Sequence, residues 1–417
     1  LHVVIVGSSA AGVSAVETIR RLKGTEVKIT MVSEEPEGVY SRCLLPDLLA
    51  GRKTEEGIRF RPKDFFQKAG VDFLNGVSAV ELHPREKHLV LENGHVLSYD
   101  RLLLATGGSA ALPGVPGANA PGIFTLRTMA DVRLLRKVMP GAAHVAVLGG
   151  GLIGLKAAHA LKMAGIKKVT VIVASSHLLS RQLDEEAASM VEKELQSAGI
   201  EFLYNEDVRS FLPGAGGKLA GVLLKSGREL SADMALAAKG VRPNSALVEK
   251  AGGLAGRGIK VDNLLRTSLE DVYAAGDCIE VTDRLTGERV GSALWTLAAE
   301  QGRYAAANIL NLSRPYPLPL TRLNSARFGR VDLISAGMLT GPEVQRHYDR
   351  INNTYRRLVF DGDRLVGFIL AGKVDGAGVY TALARSGRPL GSLKRSLLHG
   401  NAGEATLAQM MKRSSTI

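Results

Sequence analysis

Short apolar runs alternate with stretches of helical spacing along most of the chain, and the junctions between them are rich in glycine. The first run, residues 2–6, carries the β-branched content of a buried parallel strand, and Gly7 ends it. Val13, Val16, Ile19 and Leu22 then share one face of a helix over residues 10–22. A second strand is predicted over 26–32. The rhythm returns with a strand over 145–148, three glycines, a helix over 153–163 and a strand over 169–173. Two further apolar strands run into small-residue turns, at Ala105-Thr106-Gly107-Gly108 and at Gly276-Asp277, and a helix follows over 298–310. Beyond the proline-rich 315–319 the texture changes to alternating strands over 331–336, 355–360 and 365–370. Asp361-Gly362-Asp363 marks a hairpin turn between the last two. Helical segments close the chain, and residues 401–417 are expected to fray.

The two glycine-rich junctions are the chemically informative part of this pattern. Gly7-Ser8-Ser9-Ala10-Ala11-Gly12 is a dinucleotide-binding fingerprint with serine at its middle glycine. Gly7 permits the tight turn, Gly12 permits close helix–strand packing, and Ser9 offers a hydroxyl where the backbone normally approaches a pyrophosphate. The following helix presents free N–H groups and a partial positive charge to that phosphate. Glu34, just past the second strand, stands where an acidic residue binds a ribose. Taken alone, such a junction is also what an ordinary tight strand–helix turn looks like. A near-complete second copy, Gly149-Gly150-Gly151-Leu152-Ile153-Gly154, makes two dinucleotide sites the stronger reading. Its ribose position holds Val173, followed by Ser175, His177 and Arg181, which leaves NADH and NADPH both open with a lean toward NADPH tolerance.

Composition narrows the class without deciding the function. At 417 residues the chain has room for two or three domains. Its 45% hydrophobic and 23% charged content is that of a water-soluble globular protein. No apolar run approaches a membrane span. No leader pattern precedes the first strand, and Leu1 stands where a start methionine is expected. Cys43 and Cys278 form no CxxC, which argues against a disulfide scaffold or a zinc site and for a reducing, cytoplasmic setting. The net charge of +12 is spread in isolated pairs such as Arg20-Arg21 and Lys412-Arg413. It favours an acidic partner or an anionic substrate over nucleic acid, with generally solvated basic faces as the plain alternative.

The order GxSxxG, ATGG, GGGLIG, GVRPN and AAGDC resembles the FAD-dependent pyridine-nucleotide (disulfide) oxidoreductases over essentially the whole chain. Within them it is similar to the branch of NADH:rubredoxin reductases, nitrite reductase FAD segments, NADH oxidases and coenzyme A disulfide reductases. The resemblance implies an α/β fold with two Rossmann-like domains and a C-terminal α+β interface domain. FAD binding would occupy 1–115 and 238–313, NAD(P) binding the inserted 116–237, and the interface domain 314–417. It implies that Gly7, Ser9, Ala11, Gly12, Glu34, Arg42, Ala79, Ala105, Thr106, Gly107, Gly276 and Asp277 hold FAD. It assigns Gly149, Gly151, Leu152, Ile153, Gly154, Ser175, His177 and Gly240 to NADH or NADPH. No metal is implied, and a homodimer or a subunit of a redox complex is expected.

Where the electrons leave is the open question. Val39-Tyr40-Ser41-Arg42 resembles the rubredoxin and nitrite reductase branch, whereas Cys43-x-Leu45-Pro46 resembles the disulfide reductases and NADH oxidases. With Cys43 inert, electrons pass to an acidic iron–sulfur protein or partner redox subunit. With Cys43 reactive, its thiolate, stabilised by Arg42, would work on a coenzyme A disulfide, a persulfide or oxygen. A small buried thiol packed near the flavin is the plain alternative for Cys43, and simple burial is the expectation for Cys278. His83 and His177 are expected on the surface or in loops. Trp295, the only tryptophan, is expected in core packing. A basic flavoprotein acting mainly as a binding protein is the remote alternative.

Overall fold

A computed structural model describes residues 1–391 and 393–399; the expected fraying of 401–417 lies outside the described residues. The chain forms two compact units. The first comprises Leu1–Ala111, Thr125–Lys137 and Gly240–Thr321; the second comprises Leu112–Phe124, Val138–Lys239 and the chain from Arg322 on.

The first unit is built on a five-stranded parallel sheet in the order Val272–Ala274, Arg101–Leu104, His2–Val6, Lys28–Ser33, Val71–Asn75. The central strand pairs on both sides, and Val3, Val4 and Ile5 are fully buried. That is why this run is continuously apolar rather than alternating. The Ala10–Lys23 helix buries Val13, Val16 and Ile19 of the face read from the sequence, whereas Leu22, one turn further on, is exposed. It packs against the Trp295–Ile309 helix so closely that a Cβ on Gly302 would lie 2.1 Å from the Ala11 carbonyl oxygen. The second strand runs Lys28–Ser33 rather than 26–32, because Glu26 N–H closes a turn onto the Lys23 carbonyl. The chain leaves this unit after Gly108–Ala110 and returns through Val241–Pro243, and these two segments pair antiparallel. Thr125–Lys137, inside the region read from sequence as the second domain, packs in the first unit through contacts with the 35–55 segment.

The second unit repeats the plan: a five-stranded parallel sheet in the order Ile200–Tyr204, Lys168–Val173, His144–Leu148, Met234–Ala237, Ile123–Phe124. The Leu152–Met163 helix follows the glycine turn. From Arg322 the unit carries an antiparallel sheet, ordered Leu323–Phe328, Val331–Gly337, Arg364–Gly372, Thr354–Asp361, Glu343–Asp349. Asp184, the N-cap of the Glu185–Ser197 helix, ties that sheet in: it accepts from Tyr355 Oη at 2.5 Å and pairs with the buried Arg357 at 2.9 Å.

Candidate functional site

The two glycine turns have one geometry. Gly7 and Gly149 take φ of +115° and +122°, a region that L side chains rarely adopt. A Cβ on Gly12 would lie 1.9 Å from the Gly7 carbonyl oxygen, and one on Gly154 2.0 Å from that of Gly149. A Cβ on Gly7 would lie 2.1 Å from the Ala105 carbonyl oxygen, and one on Gly149 2.5 Å from that of Ala238. Both turns are therefore bare backbone wedged between a strand end and a helix start. Ser9 is the extended N-cap of the Ala10–Lys23 helix and makes no side-chain capping bond, and Gly151 holds the same place in the second unit. Bare backbone facing free helical N–H groups fits the approach of a pyrophosphate.

In the first unit several of the sequence-read residues converge on that turn. Ala105 follows the Arg101–Leu104 strand, and Gly276 sits beside Ala11, where an added Cβ would lie 3.2 Å from the Ala11 Cβ. Gly276 takes φ +90° and donates its N–H to Oε1 of the buried Gln301 at 2.8 Å. Thr106 and Gly107 are fastened by Asn244, which donates from Nδ2 to the Thr106 carbonyl, accepts from Thr106 Oγ1 at its own carbonyl, and donates its N–H to the Gly107 carbonyl. Glu34 is exposed just past the Lys28–Ser33 strand. Ala79 opens the Ala79–His83 strand of a separate antiparallel sheet, half-buried.

Arg42 and Asp277 meet through a residue that sequence reading missed. Arg42 pairs with Glu35, which also accepts from Tyr40 Oη, and Arg42 Nη1 donates to the Arg127 carbonyl at 2.8 Å. Arg127 in turn pairs with Asp277 at 2.8 Å and donates from Nε to the Gly108 carbonyl at 2.9 Å. Tyr40 Oη accepts from Met129 N–H, and burial raises its phenol above the ordinary value. Glu35, Tyr40, Gln301 and Arg127 are thus part of the site's frame. Arg127 carries no local motif for this role, since Arg42 and Asp277 lie 85 and 150 residues away in sequence.

Cys43 is solvent-accessible. The surrounding protein still costs the thiolate hydration, and this, with the Asp277 carboxylate, pushes the thiol up; a Ser41 hydrogen bond and the Arg127 charge pull the other way. The cation acting on Cys43 is therefore Arg127, while the Arg42 guanidinium is engaged by Glu35. Cys278 is fully buried, its thiol donating to backbone carbonyls of Leu104 and Ala275. Trp295 is half-buried and meets Phe60 edge-on at 4.8 Å.

In the second unit Val173 is buried and faces the turn, where a Cβ on Gly150 would lie 2.9 Å from it. Ser175 donates to the His177 carbonyl at 2.8 Å, and His177 Nδ1 lies 2.9 Å from the Leu178 carbonyl, so the loop after the strand is internally braced. Gly240, in the first unit, takes φ +102° with open space around it. His83 is exposed beside Glu81. No helix among the described residues is long and apolar enough to cross a membrane.

Comparison with known proteins agrees with this geometry. The family model described as "Pyridine nucleotide-disulphide oxidoreductase" matches residues 1–302. The assimilatory nitrate reductase electron transfer subunit of Bacillus subtilis is 31% identical over 89% of this chain, which spans only 47% of that relative's length. The rubredoxin-NAD(+) reductase of Pseudomonas putida is 31% identical over 76% of this chain and 82% of its own. The structure of an NAD-dependent persulfide reductase from A. fulgidus superposes with a TM-score of 0.86 at 29% identity, covering 94% of this chain and 78% of that one. FAD and NAD(P)H are the cofactors these comparisons support. A duplicated glycine turn of one geometry and a family match that takes in both copies lead to one conclusion: the chain belongs to the pyridine nucleotide-disulphide oxidoreductase family.

Proposed function

We propose that this chain oxidises NADH or NADPH through FAD and passes the electrons one at a time to an acidic iron–sulfur carrier or partner redox subunit. One NAD(P)H is oxidised per cycle, two one-electron centres are reduced, and one proton is released. The bound flavin supplies the junction between two-electron and one-electron chemistry. The chain supplies placement. The Gly7, Ser9, Ala11 and Gly12 turn receives the FAD pyrophosphate at the helix N-terminus, and Glu34 its adenosine ribose. Ala105, Thr106, Gly107 and Ala79 border the same cofactor. Gly276 and Asp277 would hold its ribityl chain and phosphate. Arg42 acts through Glu35 and the Arg127 carbonyl rather than on Cys43. Gly149, Gly151, Leu152, Ile153 and Gly154 receive the nicotinamide dinucleotide, Ser175 and His177 stand by its adenosine ribose, and Gly240 lies where the chain returns to the first unit. A buried Val173 in place of an acid accepts either nucleotide. The unpaired cysteines suit the cytoplasm, and the segment beyond residue 314 is the element through which a dimer or complex would form.

The observation that carries this reading is the setting of Cys43. Its thiol is held up by lost hydration and by Asp277, and the arginine next to it in sequence is already paired with Glu35. A nucleophilic or disulfide-exchanging cysteine needs the opposite arrangement. Cys43→Ser is expected to keep full NAD(P)H-driven reduction of a rubredoxin-type acceptor and the same flavin absorbance on anaerobic reduction. Because Cys43 is exposed, a second reading stands behind the first: a Cys43-dependent coenzyme A disulfide or persulfide reductase, or an NADH oxidase. Loss of turnover in Cys43→Ser, together with loss of a thiolate–flavin band present in the parent, would put that reading first.

A further inference from the structure

A polar cavity of about 850 Å³ lies in the second unit, bounded by the Glu185–Ser197 helix, the Arg330 turn, the hairpin after Asp349 and the loop after Gly372. One wall is fixed by a close backbone approach: a Cβ on Gly372 would lie 2.3 Å from the Asn353 carbonyl oxygen.

The carboxylates lining it are already engaged. Glu194 takes both the Arg330 N–H and its guanidinium. Asp332 is held by both arms of Arg327. Asp375 faces Lys373 at 3.7 Å. Asp349 accepts from the N–H groups of Ile351 and Asn352 and from Asn352 Nδ2. Arg356 is different. It lies on the Thr354–Asp361 strand between His347 and Leu370, lines the cavity, and forms no ion pair among the described residues. A guanidinium with no carboxylate partner is satisfied best by two parallel bonds to one oxyanion.

We propose that this cavity is a binding site for a small oxyanion, a carboxylate or a phosphate, seated on the guanidinium of Arg356. Asn352, Asn353 and Thr354 supply further polar lining, and the volume admits a ligand of metabolite size. The site shares no residue with either glycine turn.

The test is titration calorimetry and thermal unfolding of the flavin-loaded full chain with inorganic phosphate and with citrate, against sodium chloride at equal ionic strength. Saturable binding of one of the two in the parent, weakened about tenfold or more by Arg356→Gln, is expected. Which anion saturates tells phosphate from carboxylate. Arg356→Lys keeps the charge but loses the fork, so it is expected to weaken binding as well while preserving the fold. Flavin content and NAD(P)H oxidation are expected to stay unchanged in both variants. No saturable binding of either anion, or equal binding in the parent and in Arg356→Lys and Arg356→Gln, overturns the site; the latter would place the anion elsewhere, as at the glycine turns.

Discussion

Gly12 and Gly114 contrast what a fingerprint glycine and a linker glycine do. A Cβ at Gly12 would meet the Gly7 carbonyl at 1.9 Å and the Met31 side chain at 3.3 Å, whereas a Cβ at Gly114 meets nothing within 4 Å. Backbone cannot yield as a flexible side chain does, so Gly12→Ala must push the helix from its strand. Overpacking of this kind costs about 1–3 kcal/mol or more. Gly12→Ala is expected to lower the unfolding temperature and to lose FAD on desalting, while Gly114→Ala changes neither; retention of full flavin by Gly12→Ala would show that the turn has slack. These positions were legible because the requirement is local: one turn, one residue type. The Glu35–Arg42–Arg127–Asp277 chain was not. Arg42 and Asp277 stood out by resemblance, but the residue joining them is set by tertiary placement of the Thr125–Lys137 segment, which no local pattern announces. The same gap explains the expected Arg42–Cys43 partnership: adjacency in sequence hid the carboxylate that claims the guanidinium.

At the scale of elements, the duplication reaches the strand openings as well as the turns. His2 Nε2 lies 2.9 Å from Thr30 Oγ1 on the next strand, and His144 Nε2 lies 2.9 Å from Thr170 Oγ1. Each backbone N–H at that opening is taken by a carboxylate, Asp100 at 2.6 Å and Asp233 at 2.8 Å. Apolar periodicity located the strands because burial on both faces demands it. It was silent on these openings, whose polar partners lie tens of residues away. Burial lowers both imidazoles, with Lys28 and Lys168 adding to the effect. A lowered folded-state value means that the neutral ring is the form the fold prefers. The stability it contributes is complete above the unfolded value of about 6.5 and is lost as pH falls through the folded values. The unfolding temperature is therefore expected to fall on acidification below about pH 6.5. His2→Gln with His144→Gln should flatten that limb; an unchanged slope in the double variant would assign the acid sensitivity to other groups.

At the scale of the whole molecule, the chain's excursion and return are closed on themselves. The exit and re-entry segments pair as strands, Ala111 N–H reaches the Gly240 carbonyl at 2.9 Å, and Asn244 fastens the return to Thr106. Segment order and motif order made the broad plan legible; which pieces pack together depended on contacts across more than a hundred residues. Charge is the other whole-molecule property. The ion pairs are matched one to one or shared among neighbours, as at Arg133 with Glu37 and Glu55, and exposed pairs of this kind contribute little to stability. The excess of +12 is left over for long-range attraction. An acidic electron carrier would be steered by that field, a neutral acceptor would not. Raising ionic strength from about 10 to about 150 mM shortens the Debye length from roughly 30 to roughly 8 Å. Over that range kcat/KM for an acidic iron–sulfur acceptor is expected to fall by about tenfold or more, mainly through KM, while turnover with a neutral small-molecule acceptor stays level. A flat salt profile with the acidic carrier would mean that the positive excess plays no part in choosing the electron acceptor.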